Sequence, residues 1–338
     1  MKSTAISFAR VGASIALGTL LMLAGARSVL AATTWIMASG NPESSYFTQN
    51  IRQFIDEVEE RSAGELRIDL RANDTLIKHD AIKRAVQTGQ VQIGEIRPGV
   101  YGNEDPMYIL DSIPGVASDY EQARQLLEAQ LPYFEELLGR QGLRALIWAP
   151  WPGQGFFTTS PLESLDDMRG KKIRIYSQPT QQMAERLGFR ATILPFAEVS
   201  QAYATGMIDS LFTSPQTGID VQIWDYAKHF TYTGTMHNKN AVIVNERAFR
   251  SLDEDLQRIV LEAGQRATER GWEMSRRAGA ENDEVIESHG VVITDASDDI
   301  QQAITAIGDE MLAQWRESAA APAVEALDRY LAQRSAQD

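Results

Sequence analysis

The feature that most constrains the fold is a repeated alternation of strand-like and helix-like segments. Residues 33–40 and 66–70 are short apolar runs, and residues 45–61 between them carry apolar side chains at helical spacing. A second series of the same kind begins near residue 162 and includes the strand-like stretch 171–176. This alternation predicts an α/β fold with mostly parallel sheets.

The length of 338 residues exceeds what one simple core usually holds, so two domains are expected. Because no flexible linker separates the two series, we expect the chain to cross between the domains more than once. We predict domain I to comprise residues 32–153 and about 240–280, and domain II to comprise residues 154–239 and about 281–338. Such folds bind ligands at the carboxyl ends of strands or between domains.

The N-terminus predicts a signal peptide covering residues 1–31. Lys2 and Arg10 precede a short apolar run at 11–24, and small residues suited to cleavage follow near Ala31. A single anchoring helix is the alternative. We therefore expect an exported, periplasmic protein, and the formal net charge of −14 argues against nucleic acid as a partner.

The sequence has no motif for a catalytic or cofactor centre. It contains no cysteine, its four histidines are not spaced as metal ligands, and no G-x-S-x-G, P-loop or G-x-G-x-x-G is present. We expect no enzyme activity, no cofactor and no metal. A periplasmic hydrolase or lyase remains as an alternative from another class.

One strand contains an arginine that needs an explanation. In the stretch "GKKIRIYS" (170–177), Ile173 and Ile175 share one face, and Arg174 shares the other with Lys172 and Tyr176. Arg174 could lie on a wet surface, pair with an acid of the protein such as Glu95 or Asp209, or meet an anion from outside.

Several aromatic residues lie at or just after predicted strands and could form either core or pocket wall. Their number favours an aromatic-lined cleft. They are Trp148, Trp151, Phe156, Phe157, Tyr176, Phe196, Phe212 and Trp224.

Three spaced motifs resemble the solute-binding receptors of TRAP transporters, the DctP type. They are "DMRGKKIRIYS" (with Asp167, Gly170, Lys172 and Arg174), "LPFAEVSQAYATGMIDS" (with Pro195, Glu198, Val199, Gly206 and Asp209) and "AFRSLDEDLQRIVLEAG" (with Leu252, Gln257 and Ala263). The resemblance implies a two-domain periplasmic-binding-protein fold in which crossover strands and a long helix connect the domains. It also implies that Arg174 grips a ligand carboxylate and that the small and large membrane subunits of a TRAP transporter are the partners. We expect the receptor to be a monomer.

Departures from the family pattern bear on the ligand. Many members carry a second arginine where this chain has Phe156, and a polar stretch where Asp209 is followed by Ser-Leu-Phe-Thr. A second ligand carboxylate would then lack a partner. We therefore predict an apolar or aromatic monocarboxylate, with one end on Arg174 and its body between Trp151, Phe156 and Phe212. The other predicted site residues are Tyr176, Ser177, Gln154, Asp209 and Glu95.

A competing hypothesis uses the same aromatic residues as a cage for a small organic cation or amino alcohol. Glu95, Asp209 or Glu43 would supply the negative charge, and Arg174 would pair with a protein acid.

Overall fold

The computed structural model describes residues 32–336. The predicted signal peptide, residues 1–31, lies outside this range. Within it, no helix has both the length and the apolar character needed to cross a membrane.

The first sheet has five strands in the order β2–β1–β3–β10–β4. The strand β1 pairs in parallel with β2 and β3, whereas β10 pairs antiparallel with β3 and β4. The strands are β1 (Thr33–Ala38), β2 (Leu66–Arg71), β3 (Ile93–Ile96), β4 (Leu143–Pro150) and β10 (Lys239–Asn245).

The second sheet has six strands in the order β11–β9–β5–β8–β6–β7. Its parallel pairs are β6 with β7, β6 with β8, and β9 with β11; β5 is antiparallel to β8 and β9. The strands are β5 (Gly155–Thr158), β6 (Lys172–Ile175), β7 (Arg190–Ile193), β8 (Ser210–Thr213), β9 (His229–Tyr232) and β11 (Val292–Asp295).

Helices flank both sheets. Their bounds are α1 (Tyr46–Arg61), α2 (Ile82–Thr88), α3 (Tyr120–Arg140), α4 (Gln178–Arg186), α5 (Val199–Ala204), α6 (Pro215–Asp220), α7 (Glu246–Arg250), α8 (Glu254–Ser288), α9 (Asp298–Ser318) and α10 (Ala321–Ser335).

The periodicities of the sequence account for the local structure. In β2 the apolar residues Leu66, Ile68 and Leu70 are buried, while the polar residues between them are exposed. The long helix α8 begins at Asp253, whose side chain accepts a hydrogen bond from the backbone N–H of Leu256 at 2.8 Å.

The chain passes repeatedly between the two sheets. The segment from β4 to β5 and the segment from β9 to β10 both cross, and α8 contacts α1 and β4 on one side and α6 and β11 on the other. The predicted α/β fold, with two sheet-and-helix units, crossover segments and one long connecting helix, is confirmed.

The C-terminal segment is placed differently from the domain prediction, which put residues 281–338 in the second unit. In α9, Ile304 packs in a core of the second sheet, whereas Trp315 packs in a core of the first. The helix α10 packs against α3, with Leu327 and Tyr330 fully buried. Periodicity shows that α10 is amphipathic, but not which apolar surface it covers.

We predict that Leu327→Ala destabilises the protein by about 2–5 kcal/mol, because it opens a cavity in the core that α10 shares with α3. The measurement is the free energy of unfolding in urea, with Gln333→Ala on the exposed face of α10 as the control. A cost equal to that of the control would contradict this placement of the C-terminal helix.

Candidate functional site

A cavity lies between the two sheets, where several strands of both end. It is small in the ligand-free protein, with a volume of about 30 Å³. Placement at the carboxyl ends of strands follows the general pattern of α/β proteins. The residues that line it are Asn41, His79, Arg97, Trp151, Gln154, Arg174, Tyr176, Phe196, Thr213, Ser214, Thr217 and Asn238.

Arg174 lies in β6, between β7 and β8, and is 2% exposed. Its Nε donates a hydrogen bond to the backbone carbonyl of Leu194 at 3.0 Å. The guanidinium carbon is 5.6 Å from the ring centre of Tyr176. Among residues 32–336, no acid forms a salt bridge with Arg174. This arginine is therefore neither exposed to solvent nor paired with an acid of the described protein.

A second arginine shares the cavity. Arg97 directly follows β3, and its guanidinium carbon is 5.4 Å from the ring centre of Tyr176. Its Nε is buried and has no hydrogen-bond partner in the described part of the chain. The expectation that the site offers only one positive charge is therefore wrong: the second guanidinium belongs to the residue after β3 and not to the position of Phe156.

The charge of Arg97 acts on Arg174. Burial, and then the charge of Arg97, lower the pKa of Arg174 to about 9. Burial also lowers the pKa of Arg97, although Tyr176 and Glu95 act in the opposite direction. A bound anion would offset the energetic cost of desolvating these cations and would reduce the repulsion between them.

Tyr176 is fixed by a network of buried amides. Its hydroxyl lies 2.6 Å from Gln154 Oε1 and 2.7 Å from Asn238 Oδ1. Gln154 Nε2 donates to Asn238 Oδ1 at 2.5 Å, and Asn238 Nδ2 donates to Ser112 Oγ at 2.7 Å. Since Asn238 lies on the segment that crosses from β9 to β10, this network ties the cavity wall to both units.

Glu95 does not line the cavity but forms hydrogen bonds to residues next to it. Its carboxylate is 1% exposed and accepts hydrogen bonds from Ser39 Oγ at 2.5 Å, Asn41 Nδ2 at 2.6 Å, and Asn240 Nδ2. Asn240 Oδ1 in turn accepts from Trp151 Nε1 at 2.9 Å. Burial raises the pKa of Glu95. The carboxylate thus orients Asn41 and, through Asn240, Trp151.

Two predicted aromatic residues do not reach the cavity. Phe156 and Phe212 are fully buried, pair across β5 and β8, and have ring centres 4.9 Å apart. Phe156 also stacks on Phe189 at 5.3 Å. Successive side chains of a strand point to opposite faces, and both rings point into the core between the second sheet and its helices. The chain therefore presents Thr213, not Phe212, to the cavity.

Asp209 and Ser177 also have positions other than the predicted one. Asp209 accepts a hydrogen bond from the backbone N–H of Lys172 at 3.0 Å, at the end of β6 away from the cavity. Ser177 is the N-cap of α4, and its Oγ lies 3.1 Å from Thr180 Oγ1 in a capping box. Of the predicted residues, Arg174, Tyr176, Trp151 and Gln154 are brought together at the cavity.

Sequence reasoning missed much of the polar lining. Arg97, Asn41 and Ser214 each follow the end of a strand, which is the same signal that applied to the aromatic residues. His79 and Asn238 lie in connecting segments, where periodicity gives no indication.

Two α/β units with a cationic cavity between them are typical of solute-binding receptors. Residues 37–318 match the family described as bacterial extracellular solute-binding protein, family 7, or DctP. The chain belongs to this family of TRAP-transporter receptors, which bind solutes and are not enzymes.

Solved structures and characterised relatives agree. DctP7 of Bordetella pertussis, a receptor binding pyroglutamic acid, is 38% identical, with a TM-score of 0.87 over 88% of this chain and 99% of that one. A marine metagenome receptor with bound pyroglutamate is 30% identical, with a TM-score of 0.86 over 88% and 98% of the chains. The sialic acid-binding protein SiaP of Vibrio cholerae is 26% identical over 81% of this chain and 87% of SiaP. The chain is thus an extracytoplasmic receptor for small organic acids.

We predict that Arg174→Met stabilises the ligand-free protein by about 1–4 kcal/mol at pH 7, because it removes a buried charge that has no acid partner. The sign follows from the lowered pKa: the unfolded chain holds this proton more tightly, so the charge opposes folding fully below about pH 9 and less above it. Urea unfolding at pH 7 measures the effect.

The matched control is Arg67→Met, on an exposed position of β2. If Arg174→Met destabilised the protein while the control had no effect, an unrecognised internal partner of Arg174 would be indicated.

Proposed function

We propose that this receptor binds one small cyclic monocarboxylate of the pyroglutamate type between Arg97 and Arg174. It delivers this ligand, as a monomer exported to the periplasm, to the small and large membrane subunits of a TRAP transporter. The observation that carries the proposal is that two guanidinium groups face one small cavity, whose lining within residues 32–336 contains no acid.

Charge balance supports a monocarboxylate despite the second arginine. Glu95 and Asp74 both lie close enough to Arg97 to stabilise its charged form. A ligand therefore meets less than the full charge of two arginines. The guanidinium fork suits the two oxygens of a single carboxylate.

The cavity lining supports a compact, polar body for the ligand. Because Phe156 and Phe212 lie beneath the cavity, amide and hydroxyl groups replace the apolar walls that we expected. Trp151 and Tyr176 still offer flat faces to a small ring. This revises the predicted apolar or aromatic acid towards a polar ring, and the 38% identical receptor binds pyroglutamic acid.

The charge distribution disfavours the cation hypothesis. Glu95 accepts three hydrogen bonds from protein groups, and Asp209 lies at the far end of β6. Glu43 is exposed and pairs with Arg52 at 2.6 Å. None of these carboxylates lines the cavity, whereas two arginines do.

We expect pyroglutamate to bind the wild type with one-to-one stoichiometry and to raise its melting temperature, with succinate and choline giving smaller shifts. Arg174→Ala and Arg97→Ala should each weaken pyroglutamate binding by about 2–5 kcal/mol, since each leaves the carboxylate with one cation. Isothermal titration calorimetry measures the affinities, and Arg67→Ala is the matched control.

Tighter binding of succinate than of pyroglutamate would refute the monocarboxylate assignment, and selective stabilisation by choline would favour the cation cage. Formation of a product from pyroglutamate would support the hydrolase or lyase alternative.

A further inference from the structure

His79 lines the cavity, but neither the sequence motifs nor the pair of Arg97 and Arg174 gives it a role. It lies at the start of a short turn of helix before α2 and is 9% exposed. Its Nε2 is buried and has no hydrogen-bond partner among the residues that the structure describes. A buried polar atom without a partner is rare in a native protein and calls for an explanation.

The backbone is arranged to hold the His79 ring in place. Gly40 follows β1 and packs directly against the imidazole: a Cβ atom at Gly40 would lie 2.5 Å from two atoms of the ring. Only a residue without a side chain fits there. The ring therefore has a defined position, which a recognition role requires.

The charge state of His79 suits an uncharged partner. Burial, and then the positive charge of Arg97, lower the pKa of His79 to about 3. The imidazole is therefore neutral at physiological pH, with one ring nitrogen that donates and one that accepts. It cannot act as a third cation for a carboxylate.

We infer that His79 is a specificity-determining residue, which forms a hydrogen bond through Nε2 to the ring amide of the ligand while Arg97 and Arg174 hold the carboxylate. This inference rests on the proposed function. It means that one side chain, His79, makes the receptor prefer a ligand with a polar ring to an acid with a plain carbocyclic ring.

The test compares pyroglutamate with cyclopentanecarboxylate, which has the carboxylate and the five-membered ring but no ring amide. Calorimetry gives the ratio of their affinities for wild type and His79→Leu. We expect His79→Leu to weaken pyroglutamate about 10-fold to 100-fold and cyclopentanecarboxylate less than about 3-fold, because only the former loses a hydrogen bond. The ratio should therefore fall in the variant.

Two further variants separate recognition from structure. His79→Gln keeps a polar side chain and should restore part of the preference for pyroglutamate. Gly40→Ala leaves the imidazole chemistry intact but displaces the ring, and should reduce the preference as His79→Leu does. Urea unfolding of each ligand-free variant checks that the fold is retained.

An unchanged affinity ratio in His79→Leu, or an equal loss for both acids, would overturn the role of His79 while leaving the arginine clamp intact. Failure of the proposed function has a different signature: the wild type would bind neither acid, or Arg174→Ala would bind both as the wild type does. Either result would remove the basis for the role of His79 as well.

Discussion

The rest of the structure depends on two guanidinium groups that face one cavity: Arg174 is fully buried, Arg97 is half-buried, and the lining within residues 32–336 contains no acid. The buried charge of Arg174 has no acid partner among the described residues, which is costly, and the nearby charge of Arg97 adds to that cost. Arg174 is held in β6 by neighbouring strands on both sides, and Arg97 by the end of β3. The ligand-free site is therefore unfavourable, and the surrounding fold must be stable enough to maintain it. An anion that enters the site supplies the negative charge that the arginines lack.

The fold provides this site by bringing strand ends from two sheets to one place. The crossing segments and α8 connect the units, and Asn238, on one crossing segment, is hydrogen-bonded to cavity residues and to Ser112 of the first unit. A domain closure about these segments would carry the network with it. Glu95 adds a second layer of support, since it orients Asn41 and acts on the charge of Arg97.

Much of the fold could be predicted from the sequence because periodicity reports local structure directly. Arg174 is recognisable in the sequence because a charged residue in the middle of an apolar strand needs a partner. Arg97 is not recognisable in the same way, because it follows a strand instead of interrupting one. The position of Phe156 is not predictable either, because alternation assigns a side chain to one face of the sheet without showing what covers that face. Strand β9 and the docking of α10 depend on contacts distant in sequence, which no local pattern records.

The most direct measurement is a crystal structure of the protein with bound pyroglutamate. We expect both carboxylate oxygens to lie within hydrogen-bond distance of the guanidinium groups of Arg174 and Arg97, with the ring enclosed between the two units. A ligand bound outside this cavity, or a carboxylate that contacts neither arginine, would show that these two cations do not select the solute.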